Sequence, residues 1–211
     1  MSWKAALQPY IDHPERFLPS PKNNAQSVVV YFNNEVVIVT DGFPKATEHL
    51  LVLPRSSALT HLHPTTALTE QVKKRYQQYI DIAVEHVTKK FMKKYKVRDE
   101  SSPDHFAKTF VQVGIHTVPS MNNLHIHVIT KDFNSPRLKN KKHYNSFNTD
   151  FFVPWDRLPL EHAPIDSKSI EKKYLKDSDL ICCYCDRNFT NKCANLKRHL
   201  AEEFALHFTA V

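Results

Sequence analysis

Two groups of residues in this sequence are of types and spacings that could do chemistry. The first is His116-Thr-Val-Pro-Ser120-Met-Asn-Asn123-Leu-His125-Ile-His127-Val-Ile. In an extended strand alternate side chains share a face, so Asn123, His125 and His127 point one way while Leu124, Ile126 and Val128 point into a core. An isolated His-x-His is more often a surface or metal-binding pair than a catalytic one. Here His116 and Ser120 lie just upstream, across a turn containing Pro119 that can fold them back over the strand and gather a nucleophile, a donor and an acid. A neutral imidazole is nucleophilic near pH 7 and forms a phosphoramidate that water cleaves readily, which splits one hard phosphoryl transfer into two easier steps. The second group is Cys182-x-x-Cys185, thirteen residues, then His199 and, beyond three more, Glu203. A CxxC turn followed by ligands borne on a helix is the arrangement of a tetrahedral structural zinc site. Glu203 stands at the fourth position, with His207 and Cys193 as alternatives.

The elements that must position these groups follow from periodicity. Ser27 to Phe32 and Glu35 to Thr40 are β-branched runs separated by Asn33-Asn34, which predicts a hairpin, and His49 to Leu53 predicts a third strand. Apolar residues at helical spacing from Leu68 to Tyr95 predict one long helix over 65–95. Residues 97–105 read as a polar loop, and Thr109 to Ile115 and Leu124 to Thr130 as two further strands. Residues 2–12 could form a short amphipathic helix, limited by Pro9, and 150–179, with Pro154, Pro159 and Pro164, read as a connector. Hairpins with a helix and no βαβ alternation predict an α+β fold on a mostly antiparallel five-stranded sheet. The expected division is an N-terminal helical segment (1–26), a catalytic domain (27–149), a connector (150–177) and a zinc-finger module (178–211).

Composition limits the function classes. Of 211 residues, 41% are hydrophobic and 24% charged, a globular balance, and no apolar run approaches the ~18 residues of a membrane span. The N-terminus has no secretory signal, and four cysteines within twelve residues suit a metal site in a reducing compartment, so cytosol or nucleus is expected. The formal charge of +7 favours polyanionic partners, though many basic proteins bind none. Its distribution is informative: cationic residues gather at Lys89 to Lys96, Lys131 to Lys142 and Arg187 to Arg198, and the last two runs flank the two candidate sites.

The segment Asn123 to Ile129 resembles the histidine triad motif, His-φ-His-φ-His-φ-φ, of nucleotide hydrolases and transferases. The longer stretches IHTVPSMNNLHIHVITKDFNSPRLKNKKHYNSFNT and DGFPKATEHLLVLPR, with the C-terminal finger, resemble more narrowly the aprataxin family of DNA deadenylases. The fungal type, without an N-terminal forkhead-associated domain, is the closer likeness. Asn123 stands where the general motif has its first histidine. The resemblance implies that His125 is the nucleophile, that His127 and Ser120 hold the phosphate oxygens, and that His116 protonates the departing DNA 5′-phosphate. It places Asp41, Lys45 and Asn123 at the nucleotide, with His49 either supporting that pocket or packing in its strand, and Trp3 as an aromatic wedge against DNA. Lys131, Lys139, Lys142, His143, Lys197 and Arg198 would contact DNA phosphates. The implied protein is a monomeric enzyme of the nucleus, with the cytoplasm as a second location, that releases AMP from 5′-adenylated nicks or ends through an AMP–histidine intermediate. Zinc would be structural, catalysis would need no metal, and repair proteins would be further partners. A general histidine triad hydrolase of dinucleotides or phosphoramidates is one alternative, which the finger argues against. A binding adaptor with a decayed triad is another, which retention of His116, His125 and His127 argues against.

Overall fold

The computed structural model describes residues 3–20, 27–98, 102–160 and 166–211. The chain runs through a 3-10 turn Trp3–Ala5, α1 Gln8–Asp12 and a 3-10 turn Pro14–Phe17 to β1 Val29–Phe32, β2 Val36–Thr40 and β3 His49–Pro54. Helices α2 Ser57–Thr60, α3 Pro64–Ala67 and α4 Glu70–Met92 follow, then β4 Tyr95–Val97, α5 Pro103–Phe110, β5 Val111–His116 and β6 Ile126–Thr130. The remainder holds α6 Lys141–Asn148, β7 Phe152–Pro154, a 3-10 turn Trp155–Arg157, α7 Ser167–Ile170, a π-helical turn Glu171–Asp177, α8 Cys193–His207 and β8 Phe208–Ala210. The main sheet has the order β1-β2-β3-β6-β5-β7 and is antiparallel throughout.

The sheet therefore has six strands where the sequence predicts five. The sixth, β7, comes from the stretch expected to be a connector. Its pairing with β5 depends on Gly114, where an added Cβ would lie 2.2 Å from the Val153 carbonyl oxygen and 2.7 Å from the Phe152 ring. Only a residue without a side chain lets the two backbones approach this closely. The predicted long helix is also divided. Thr69 leaves the helix and its hydroxyl accepts from the Val72 amide, capping a new start for α4. At its far end, Tyr95–Val97 pairs with Phe208–Ala210 as a two-stranded sheet. Within the expected 97–105 loop, whose residues 99–101 lie outside the described set, Ser102 caps α5 with Pro103 at its first position. That helix displaces the start of β5 from Thr109 to Val111.

Alternation along the strands sends side chains to two different surroundings. Val36, Ile38, Leu50, Val52, Ile126 and Val128 pack under α4 with Tyr76, Ile80, Ala83, Val87 and Phe91. The opposite face is divided. Val37, Val39, Leu51 and Leu53 are covered by Leu7 and Ile11 of the N-terminal segment, whereas Ile129 joins Phe133, Tyr144, Phe147 and Phe152 against Leu180, Cys182, Leu196 and Leu200 of the finger. The histidines occupy the gap between these two coverings. The finger is anchored twice, because Phe208 at the end of α8 is buried in the core under α4 beside Phe91 and Phe106.

Candidate active site and metal centre

His127 lies on β6, between β3 and β5 in the sheet, opposite Leu51 of β3 and Gly114 of β5. His116 ends β5, and the 117–125 loop returns to His125 just before β6. That loop is pinned at several points. Thr117 N donates to Phe151 O at 2.9 Å, Asn122 N to Lys4 O at 2.9 Å and Leu124 N to Thr60 O at 2.6 Å. Ring centroids of His116 and His127 are 4.4 Å apart, and those of His125 and His127 4.9 Å. The edge-on ring of Phe147 touches His49, His116 and His127.

Hydrogen bonds limit which ring nitrogens carry protons. Nδ1 of His125 is 2.7 Å from the Asn123 carbonyl oxygen, an acceptor only, so Nδ1 carries the hydrogen and Nε2 keeps its lone pair. His49 Nε2 is 3.0 Å from His127 Nδ1, and His49 Nδ1 is 3.3 Å from Asp41 Oδ2. The Lys45 amide also faces His49 Nδ1 at 3.4 Å. With Nδ1–H donating to the carboxylate, His49 Nε2 accepts from His127 Nδ1–H; with Nδ1 accepting from the amide, His49 Nε2–H donates to His127 Nδ1. In both states His127 Nε2 is left unpaired. The Nε2 atoms of His116 and His127 are buried without a hydrogen-bond partner. Burial lowers the pKa of all four imidazoles: His49 falls to about 4, His116 and His127 lie well below the ordinary value, and His125 is lowered less, with its bond to Asn123 opposing the shift. The rings are thus neutral near pH 7, the state a nucleophile requires.

These rings open into a cavity of about 480 Å³, whose walls include Asp41, Lys45, Ser120, Lys142 and His143. Asp41 is also held by the Phe43 amide on Oδ1 at 2.7 Å. Asn123 is not brought to the cavity: its side chain is 1% exposed and its amide donates to Gln8 at 2.8 Å and Thr60 at 3.2 Å. It lies three residues before β6, in the pinned loop, beyond the alternation that extends back only as far as His125. Trp3 is 63% exposed, beside the segment whose Ala6, Leu7 and Tyr10 form the cavity wall. Lys139 is exposed, and Lys131 lines a separate groove together with Arg157 and Trp155. Phe147, Tyr10 and the Glu171 and Leu175 side chains also line the cavity. The sequence offers no signal for these four, since they come from segments without periodicity or from apolar positions with an ordinary core explanation.

In the finger, Cys182, Cys185, His199 and Glu203 each offer a ligand atom within 4.8 Å of the others. Cys185 Sγ is 3.2 Å from His199 Nε2, which is 3.1 Å from Glu203 Oε1. Zinc bonds of ~2.0–2.3 Å place tetrahedral ligands roughly 3.3–3.8 Å apart, so this donor set fits the ion. His207 stacks on Tyr184 and lies 3.6 Å from the outer oxygen of Glu203, so it backs the carboxylate, while Cys193 begins α8 outside the cluster. Phe189 packs against the His199 ring at 5.0 Å. Lys197 and Arg198 stand on the same helix, and Arg198 is exposed.

Residues 148–205 match the family described as C2HE / C2H2 / C2HC zinc-binding finger, and residues 19–143 match scavenger mRNA decapping enzyme C-term binding. The aprataxin-like protein of Saccharomyces cerevisiae is 47% identical over 99% of both chains. That of Schizosaccharomyces pombe is 33% identical over 96% of this chain and 82% of its own. A crystal structure of the aprataxin ortholog Hnt3 in complex with DNA superposes with a TM-score of 0.75 at 32% identity, covering 97% of this chain and 96% of that one.

Proposed function

The chain belongs to the aprataxin-like family of DNA deadenylases, and we propose that His125 is the nucleophile with which it attacks the AMP phosphorus of a 5′-adenylated DNA end. The observation that carries this reading is the 2.7 Å bond from His125 Nδ1 to Asn123 O, which leaves the Nε2 lone pair for attack. A P–N bond forms as the bond from that phosphorus to the DNA 5′-phosphate breaks. The departing phosphate takes the electron pair and a proton from His116. Water then attacks that phosphorus and gives up a proton to His116, the P–N bond breaks with its electron pair returning to His125 Nε2, and AMP leaves.

Burial keeps His116 neutral near pH 7, so it becomes an acid only beside the substrate, whose negative phosphates raise the pKa of an adjacent imidazole. The same field protonates His127, whose Nε2–H then donates to a phosphate oxygen while Asp41, acting through His49, balances the charge. Ser120 adds a hydroxyl donor, and Lys45 a cation, on the same wall. Asp41 retains lone pairs for ribose hydroxyls. Every group this scheme needs is a side chain, so turnover requires no divalent metal.

Trp3 stacks on the terminal base pair, and Lys139, Lys142, His143 and, further out, Lys131, Lys197 and Arg198 hold backbone phosphates. Zinc in the finger fixes the turn and helix that present this surface. We assign the chain to the nucleus, as a monomer that meets repair proteins at breaks. A 5′-adenylated nicked duplex incubated with the protein in EDTA, for a time too short to strip the finger, tests the reading. Stoichiometric release of AMP is expected; an intact adenylate, with release restored only by added divalent metal, would overturn it.

A further inference from the structure

The cavity contains a second ligand set. His116, His125 and His127 can each bring a ring nitrogen within 4.8 Å of the other two. In His116 and His127 the Nε2 atom is buried without a partner, and Nε2 of His125 is left over once Nδ1 engages Asn123. Each ring is held from behind: His125 by the Asn123 carbonyl, His127 by His49 and through it Asp41, and His116 by the Ser146 backbone. Metal-ligating histidines are oriented by such bonds on the far ring nitrogen. Bonds of ~2.0–2.1 Å would set the three nitrogens roughly 3.3 Å apart, a spacing that small ring rotations can reach. The fourth position faces the cavity, where a water fits, and the ion occupies the space that a nucleotide phosphate would take.

We propose that these three histidines bind a divalent transition metal of the zinc class in competition with nucleotide phosphate, making such a metal an inhibitor of the site. The inhibitory consequence rests on reading His125 as the nucleophile; the binding does not. An ion on His125 Nε2 takes the lone pair that attack requires. Imidazole donors select zinc, copper, nickel or cobalt over magnesium and calcium, which prefer oxygen. The finger offers two thiolates in a closed set, whereas the cavity offers none and keeps an open position. The finger therefore stays loaded at metal concentrations over which the cavity fills and empties.

Protein carrying one zinc per chain is titrated with Co²⁺ while its visible and near-ultraviolet absorption is followed. The expected result is a second metal equivalent with ligand-field bands and no thiolate charge-transfer band, displaced by AMP and missing in His127→Asn. Deadenylation falls as that equivalent binds and returns when a weak chelator removes it. Binding confined to the finger, charge-transfer bands on the second equivalent, or indifference to AMP would each overturn the proposal. AMP competition on the unmodified protein decides the matter even if His127→Asn misfolds. Failure to release AMP from adenylated DNA in metal-free buffer would sink the deadenylase reading of the site while leaving the cobalt result to stand or fall separately.

Discussion

Nε2 of His49 lies 3.0 Å from Nδ1 of His127, and Nδ1 of His49 lies 3.3 Å from the carboxylate of Asp41. The three form a chain that orients His127 and supplies a counter-charge when it takes a proton. His49→Gln breaks this chain without opening a large void. Adenylate transfer should slow about 10²-fold, as for loss of one preorganised phosphate donor, mainly in kcat. A change confined to KM, or no change, would show that His127 does not depend on His49.

His116 ends β5 with a buried, unpartnered Nε2. If it protonates the leaving phosphate, His116→Ala should slow formation of the AMP adduct by ~10²–10⁴-fold while DNA binding is retained. A single-turnover rate equal to that of the unmodified protein between about pH 6 and pH 8 would remove it from that role.

Stability should depend on pH through the buried rings. His49, His116, His125 and His127 have folded-state pKa values below the ordinary ~6.5, so the unfolded chain takes up protons first as pH falls. Their full contribution is present above about pH 6.5 and is lost as pH descends toward the folded values, a window that for His49 extends to about 4. Melting temperature should fall between about pH 7 and pH 5 and recover on returning. A flat profile would mean that the rings titrate alike in both states.

The finger shares a core with the catalytic sheet, and Phe147 belongs both to that core and to the cavity wall. Cys185→Ala should therefore lose zinc, lower the melting temperature, and weaken hydrolysis of a small AMP–amine substrate as well as of adenylated DNA. Full small-substrate activity in that variant would make the finger an independent module.

Much of the site was legible because strand alternation is strict: Ile126 and Val128 enter one core while His125 and His127 face the other way. The zinc ligands were legible for a similar reason, since one turn of α8 fixes the separation of His199 from Glu203. The sixth strand was not, because Phe152–Pro154 is too short for a pattern and its pairing depends on a missing side chain at Gly114, a residue distant in sequence. Asn123 was misplaced because alternation was extended backward past the start of β6. The second anchoring of the finger was hidden for another reason: Phe204 and Phe208 continue a helical apolar face, and nothing local says which core receives them.

Deadenylation turns on attack at phosphorus by Nε2 of His125. The most direct test is to quench the reaction on 5′-adenylated DNA without acid, digest the protein, and map the adenylated residue by mass spectrometry, with His125→Ala alongside. AMP is expected on His125 and not on the folded, DNA-binding variant. An adduct on any other residue, or undiminished turnover by His125→Ala, would contradict it.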